Sequence, residues 1–213
     1  MGRLRRIIDV LAERDGADTR PAALEPLTGR VVGPDAITVA VLVYRGVSSG
    51  EVDEPVRRLA ERLDANVVFV GPIRGLVHAV EPSRSIDVTC LPADAPPVDV
   101  LVVPGGLGWK QVIDDPDTRA WLQVAAESAK GILAMSTGSL LLASVGRLDG
   151  RSATGHWLAE DDLAAMGASV SSTRTASDDS GRVVTTSGAL AAIAVVDELA
   201  DQSCWAQWMP GIN

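Results

Sequence analysis

The chain is 213 residues long and 46% hydrophobic, enough to bury one well-packed α/β core and too short for two large domains. Its formal charge of −9 at pH 7 argues against nucleic acid as a partner, because phosphate binding needs clustered Lys and Arg. Two cysteines, Cys90 and Cys204, are too few for a disulfide framework and fit no metal-ligand spacing, so a reducing cytoplasm is expected.

Residues 3–14 place Leu4, Ile7, Ile8 and Leu11 at helical spacing. Acids interrupt this stretch, so neither a secretory leader nor a membrane span is expected there. Gly16, Pro21, Pro26, Gly29, Gly33 and Pro34 then predict a loose connector. An N-terminal helix and linker over residues 1–35 would thus precede a core domain over 36–202. The first 35 residues balance six Arg against six acids, so the acidic excess belongs to the rest of the chain.

Ile37 to Tyr44 is a β-branched run of the kind buried on both faces of a parallel sheet. A helix from about Glu54 to Leu63 follows, then a strand over residues 66–70 and a β-rich excursion holding 77–80 and 86–90. In that excursion His78 is expected to be structural or exposed, and Cys90 to be a small buried hydrophobe. Residues 98–103 form the third core strand and run into Pro104-Gly105-Gly106-Leu107-Gly108. A helix near 116–129, a strand over 132–135 and a helix over 137–145 continue the alternation. Strand and helix in repeated succession imply right-handed crossovers and a mainly parallel sheet covered on both faces. After Gly150 the pattern predicts a strand at 152–154 and a helix over 158–166. Strands over 169–175 and 182–186 are expected about a turn at Asp178-Asp179-Ser180-Gly181, with a closing helix over 189–200. The tail, 203–213, holds Trp205 and Trp208, which suit a packed lid or an oligomer contact.

In an open α/β sheet, ligands bind outside the carboxyl ends of the strands. Three segments lie there: Arg45 to Glu51 after the first strand, Gly105-Gly106 after the third, and Ser136 after the next. The stretch from Gly131 to Ala143 reads as a buried strand that breaks into a helix at Ser136, the geometry of a nucleophile elbow. Backbone N–H groups that open such a helix face whatever binds at the turn. Trp157 and Trp109 either wall this site or belong to the core.

Five segments in order carry a family resemblance: Gly46-Val47-Ser48-Ser49-Gly50-Glu51, Val103-Pro104-Gly105-Gly106, Ala134-Met135-Ser136-Thr137-Gly138, Thr154-Gly155-His156-Trp157 and Val184-Thr185-Thr186-Ser187-Gly188. Together they resemble the ThiJ/PfpI superfamily, with its class I glutamine amidotransferase-like fold. Within it they are most similar to the isonitrile hydratase-like branch, which also supplies the sensing half of some transcription regulators. The resemblance implies a flavodoxin-like three-layer sandwich, a homodimer, and a small-molecule substrate handled without metal or organic cofactor. It also implies a reactive Cys at the elbow, touched by a carboxylate from the loop after the first strand, with a His nearby. Residue by residue, Ser136 takes the elbow position, Glu51 the carboxylate and His156 the histidine. Gly105, Gly106, Thr137 and Trp157 fall at substrate-binding positions. The N–H groups of Gly106 and Thr137 are expected to stabilise developing negative charge.

A serine at the Cys position changes the chemistry, because a hydroxyl needs an adjacent base where a thiol can be held as thiolate by a helix N-terminus. Three roles are open. Ser136 is a nucleophile whose proton passes to His156 or Glu51; or it donates a hydrogen bond while Glu51, raised in pKa by partial burial, does acid–base work. In the third the site is silent and only binds a ligand. An engineered Cys-to-Ser change would leave the same residue there.

Overall fold

The structure is a computed structural model, and it describes residues 27–198. The expected N-terminal helix, the Trp-containing tail, Cys204 and the last two residues of the closing helix lie outside the described residues. β1 (Thr38–Leu42) leads through a tight turn into α1 (Ser49–Leu63), followed by β2 (Asn66–Val70) and an antiparallel hairpin of β3 (Gly75–Ala79) with β4 (Arg84–Val88). β5 (Val100–Val103) feeds α2 (Trp109–Asp114) and α3 (Pro116–Ser128). β6 (Gly131–Met135) breaks into α4 (Gly138–Ser144), and β7 (Ser152–Ala153) leads to α5 (Glu160–Ala165). β8 (Ser169–Val170), β9 (Thr175–Ser177), β10 (Val183–Thr186) and α6 (Ala189–Glu198) complete the order.

The main sheet runs β2-β1-β5-β6-β10-β9, parallel throughout except for β9. Counting only its parallel strands, this is the 2-1-3-4-5 order of flavodoxin-like sheets, which places the topological switch point between β1 and β5. Crossovers leave β1 in one direction and β5 in the other, so a crevice opens at the carboxyl ends of these two strands. β5 and β6 are buried at every position, the burial expected when helices cover both faces. On one side α1 packs on α6, joined by Arg58 and Arg62 to Asp197 at 2.6 and 2.8 Å; α2, α3 and α4 pack together.

Local sequence sets several boundaries. Asp115 caps α3 by accepting the Thr118 N–H at 2.8 Å, and Pro116 occupies the first helical position. α1 starts five residues earlier than its apolar spacing predicts, because Ser49, Glu51 and Val52 are all buried in its first turn. Glu51 is therefore a helical residue and not a loop acid. α2 was not expected from sequence; Trp109 and Val112 bury its one apolar edge. The anticipated pairing of 169–175 with 182–186 is corrected: β8 pairs in parallel with β7, and only β9 forms the hairpin with β10. Ser169 and Val170 follow a turn at Gly167 that aims them at β7 instead.

The second half of the expected loose connector is docked. Arg30 exchanges backbone hydrogen bonds with Val67 of β2 at 3.1 and 2.8 Å, and Leu27 bridges to Ile86 of β4. Asn66 holds it too, accepting from the Val32 N–H and donating to the Gly33 carbonyl, each at 2.7 Å. Cys90 is half-buried, its thiol facing the Asp94 carbonyl at 3.6 Å, so it is not the fully buried hydrophobe anticipated. Trp109 is core, at 4% exposure.

Candidate active site at the switch point

Three turns meet at the crevice. The β5 turn brings Gly105 and Gly106, the β6 turn brings Ser136 and Thr137, and the first turn of α1 brings Glu51. Gly105 has no room for a side chain: a Cβ there would stand 2.8 Å from the Thr137 nitrogen and 2.9 Å from the Ser136 Cβ. At Gly106, φ is +150° and a Cβ would sit 2.2 Å from the Gly46 carbonyl oxygen. Two consecutive glycines thus let the β5 turn lie directly against both neighbouring turns.

Ser136 is the elbow. Its φ of 53° is left-handed, a conformation that a residue with a side chain adopts at a cost of roughly 1–2 kcal/mol. Its N–H donates to the Thr186 carbonyl at 2.8 Å, which pins the turn to the end of β10. The Thr137 hydroxyl accepts the Gly106 N–H at 2.9 Å and lies 3.2 Å from the Gly106 carbonyl oxygen. The Gly106 N–H is therefore engaged within the protein, which corrects its expected role as a donor to developing negative charge. Among the described residues the Thr137 N–H has no acceptor, and it faces the space beside Gly105.

Glu51 is 7% exposed, with its Oε2 accepting the Gly105 N–H at 2.6 Å. Its Oε1 faces Gly188, at 3.7 Å from where a Cβ would stand. Burial raises its pKa from 4.5 to about 7, against hydrogen bonds from Gly105 and Ser136 that favour the carboxylate; Glu81 adds to the rise. Because Oε2 accepts an N–H, the proton of the neutral acid belongs on Oε1, on the side toward Gly188. The structure thus brings together Glu51, Ser136, Thr137, Gly105 and Gly106.

His156 and Trp157 follow Gly155, where a Cβ would stand 2.9 Å from the Ser136 carbonyl oxygen. Among the described residues the one hydrogen bond to the His156 ring is from the Leu158 N–H to Nδ1, at 3.2 Å. That bond leaves the neutral ring protonated on Nε2, with no lone pair free to take a proton from Ser136. Partial burial lowers the His156 pKa and favours the neutral form. This tautomer favours Glu51 over His156 as the base for Ser136. Trp157 is 67% exposed and stacks on His156 at 5.8 Å between ring centroids, so it flanks the site without enclosing it.

Two residues near the site were not singled out from sequence. Tyr44, at the end of the predicted first strand, is fully buried and donates to the Pro104 carbonyl at 3.0 Å. Its hydroxyl pKa is pushed well above 10 by burial and by the charge of Glu51. Its place at a strand's carboxyl end was a usable signal. Glu81 comes from the turn between β3 and β4, its carbonyl accepting the Gly50 N–H at 3.2 Å, and its charge acts on both Glu51 and His156. Nothing in the local sequence marks it. Among the described residues no cluster of three or more His, Cys, Asp or Glu could hold a metal ion, and no helix is long and apolar enough to cross a membrane.

Residues 37–202 match the DJ-1/PfpI family. The chain belongs to that family. The isonitrile hydratase of Pseudomonas putida is 31% identical over 134 residues, which cover 62% of this chain and 58% of the hydratase. The chain thus spans well under two thirds of that relative's length. A ThiJ/PfpI family protein from Pseudomonas syringae superposes with a TM-score of 0.70 at 28% identity, covering 82% of this chain and 77% of the other. Schizosaccharomyces pombe DJ-1 shares the fold, with a TM-score of 0.65 at 18% identity over 79% of this chain and 95% of its own. The DJ-1/PfpI fold accounts for the flavodoxin-like strand order and for the site's place at the switch point.

Proposed function

We propose that this DJ-1/PfpI protein is a cofactor-independent hydratase of the lyase type, acting on a small, uncharged, electrophilic molecule. An isonitrile is the precedent that the relative in Pseudomonas putida offers. The observation that carries the reading is a carboxyl 7% exposed at the switch point, raised to about pKa 7 and adjoining the Ser136 hydroxyl. Near neutral pH such a group is present in both protonation states, so it can donate a proton and recover one in the same cycle. For an isonitrile, Glu51 would protonate the terminal carbon, and water would add to that carbon. The water's proton would return to the Glu51 carboxylate, and tautomerisation would yield the N-formyl amine, so that the net change is addition of one water. Ser136 would orient the substrate or water by hydrogen bonding, and the Thr137 N–H would donate to the oxygen that the water brings to the substrate carbon. A homodimer in a cytoplasmic setting belongs to the same proposal.

Turnover of a panel of small isonitriles and aldehydes by wild type, Ser136→Cys, Ser136→Ala and Glu51→Ala tests it. Glu51→Ala should lower kcat by about 10²-fold or more, the usual contribution of a positioned acid–base group. Partial activity in Ser136→Ala supports the hydrogen-bonding role, and complete loss there assigns Ser136 as the nucleophile. If no compound turns over with wild type or Ser136→Cys while some compound binds, the site is a silent ligand-binding one and the enzyme reading fails.

A further inference from the structure

Tyr44 is the one tyrosine of the chain, and it lies 2% exposed just past the carboxyl end of β1. A phenylalanine would fill the same space, and a hydroxyl is costly to bury unless it is hydrogen-bonded. Here the bond leads to the site. The Tyr44 hydroxyl donates to the Pro104 carbonyl at 3.0 Å, and the Gly105 N–H of the same trans peptide donates to Glu51 Oε2 at 2.6 Å. We infer that Tyr44 is a positioning residue that acts on Glu51 through this single peptide unit, holding the Gly105 N–H toward the carboxylate and strengthening it as a donor.

In a trans peptide the carbonyl and the N–H point to opposite sides, so one edge of the Pro104–Gly105 unit meets Tyr44 and the other meets Glu51. A donor on the carbonyl oxygen polarises the whole amide and makes its N–H a better partner for an anion. Tyr44 thus favours the carboxylate of Glu51, against the burial that favours the neutral acid. The other groups that act on Glu51 are the Ser136 hydroxyl from the β6 turn, which also favours the carboxylate, and Glu81 from the β3–β4 turn, whose charge disfavours it. Gly188, ahead of α6, brings no side chain to the carboxyl. Burial and the charge of Glu51 hold the Tyr44 hydroxyl protonated well above pH 10, so it remains a donor throughout the range in which Glu51 ionises.

For its consequence in turnover this inference rests on the acid–base reading of Glu51, but its test needs no substrate. The full chain is prepared with carboxyl-labelled glutamate, and the NMR signal of Glu51, assigned by its absence in Glu51→Gln, is titrated with pH. Tyr44→Phe should raise the midpoint by about 0.3 pH unit, the effect of weakening a hydrogen bond to a charged group by about a fifth. Loosened packing alone would lower it, since admitted water reverses a rise that burial causes. Because the chain has one tyrosine, growth on meta-fluorotyrosine alters Tyr44 alone. It keeps the ring and makes the phenol a stronger donor, so the midpoint should fall. An unmoved or lowered midpoint in Tyr44→Phe, or an unmoved or raised one with fluorotyrosine, would overturn the inference. Shifts of the expected sign without turnover of any compound would refute the hydratase and leave the link from Tyr44 to Glu51 standing; turnover with unmoved midpoints would do the reverse.

Discussion

Replacing Glu51 by Gln should remove acid–base function and yet stabilise the protein above neutral pH. The folded-state pKa of Glu51 is about 7 against an ordinary 4.5, so between those values the folded protein holds a proton that the unfolded chain has released. The stability that this group contributes is therefore fully present below pH 4.5 and lost as pH rises through 7. A difference of about two and a half pKa values corresponds to about 3 kcal/mol. Glutamine keeps an acceptor for the Gly105 N–H and cannot ionise, so it escapes this loss. The gain of Glu51→Gln over wild type should grow from about 1 kcal/mol at pH 5 to about 3 kcal/mol at pH 8. For a domain of this size the gain at pH 8 is a rise in Tm of roughly 6–12 °C. Urea unfolding of both proteins at each pH measures the difference directly, and pH effects of all other groups cancel in it. A difference that stays flat from pH 5 to pH 8, or a variant less stable at pH 8, would refute the assignment of a buried, proton-holding Glu51.

Relief of the left-handed strain at Ser136 makes Ser136→Gly a stabilising change of about 1 kcal/mol in thermal unfolding, while the hydroxyl's share of turnover is lost. Gly105→Ala forces a Cβ to within 2.8 Å of the Thr137 nitrogen, so it should destabilise by about 1–3 kcal/mol in urea titration and displace Glu51 from the Gly105 N–H. Asp115→Ala should cost about 1 kcal/mol through loss of the cap on α3, without changing kcat, which a denaturation curve and a rate assay together check. His156→Asn should leave at least half of wild-type kcat, because the ring has no free lone pair for Ser136; a fall as deep as that of Glu51→Ala would restore His156 to the catalytic set.

The sequence by itself determined the α/β alternation, the core strands and the elbow. β-branched runs such as Val39 to Val43 and the apolar run before Ser136 can be satisfied only in the middle of a covered sheet, and strand-to-helix turns recur at Gly and Ser where the chain must bend sharply. Glycine at 105 and 106 was likewise legible as a site of close approach, because the absence of a side chain is a local property. Tertiary structure alone decided which polar atoms remain free and what their proton affinities are. The Gly106 N–H is consumed by Thr137 and the His156 Nδ1 by Leu158, pairings that depend on where two turns happen to meet or on how one turn closes. Glu51 lies in a stretch of small residues and would read as a solvated acid; what makes it chemically useful is burial against Gly105 and Gly188, from strands far apart in the chain. Periodicity and composition report what a residue's own side chain prefers, whereas the pKa of Glu51 is set by the water its neighbours exclude, and those neighbours are assembled only by the fold.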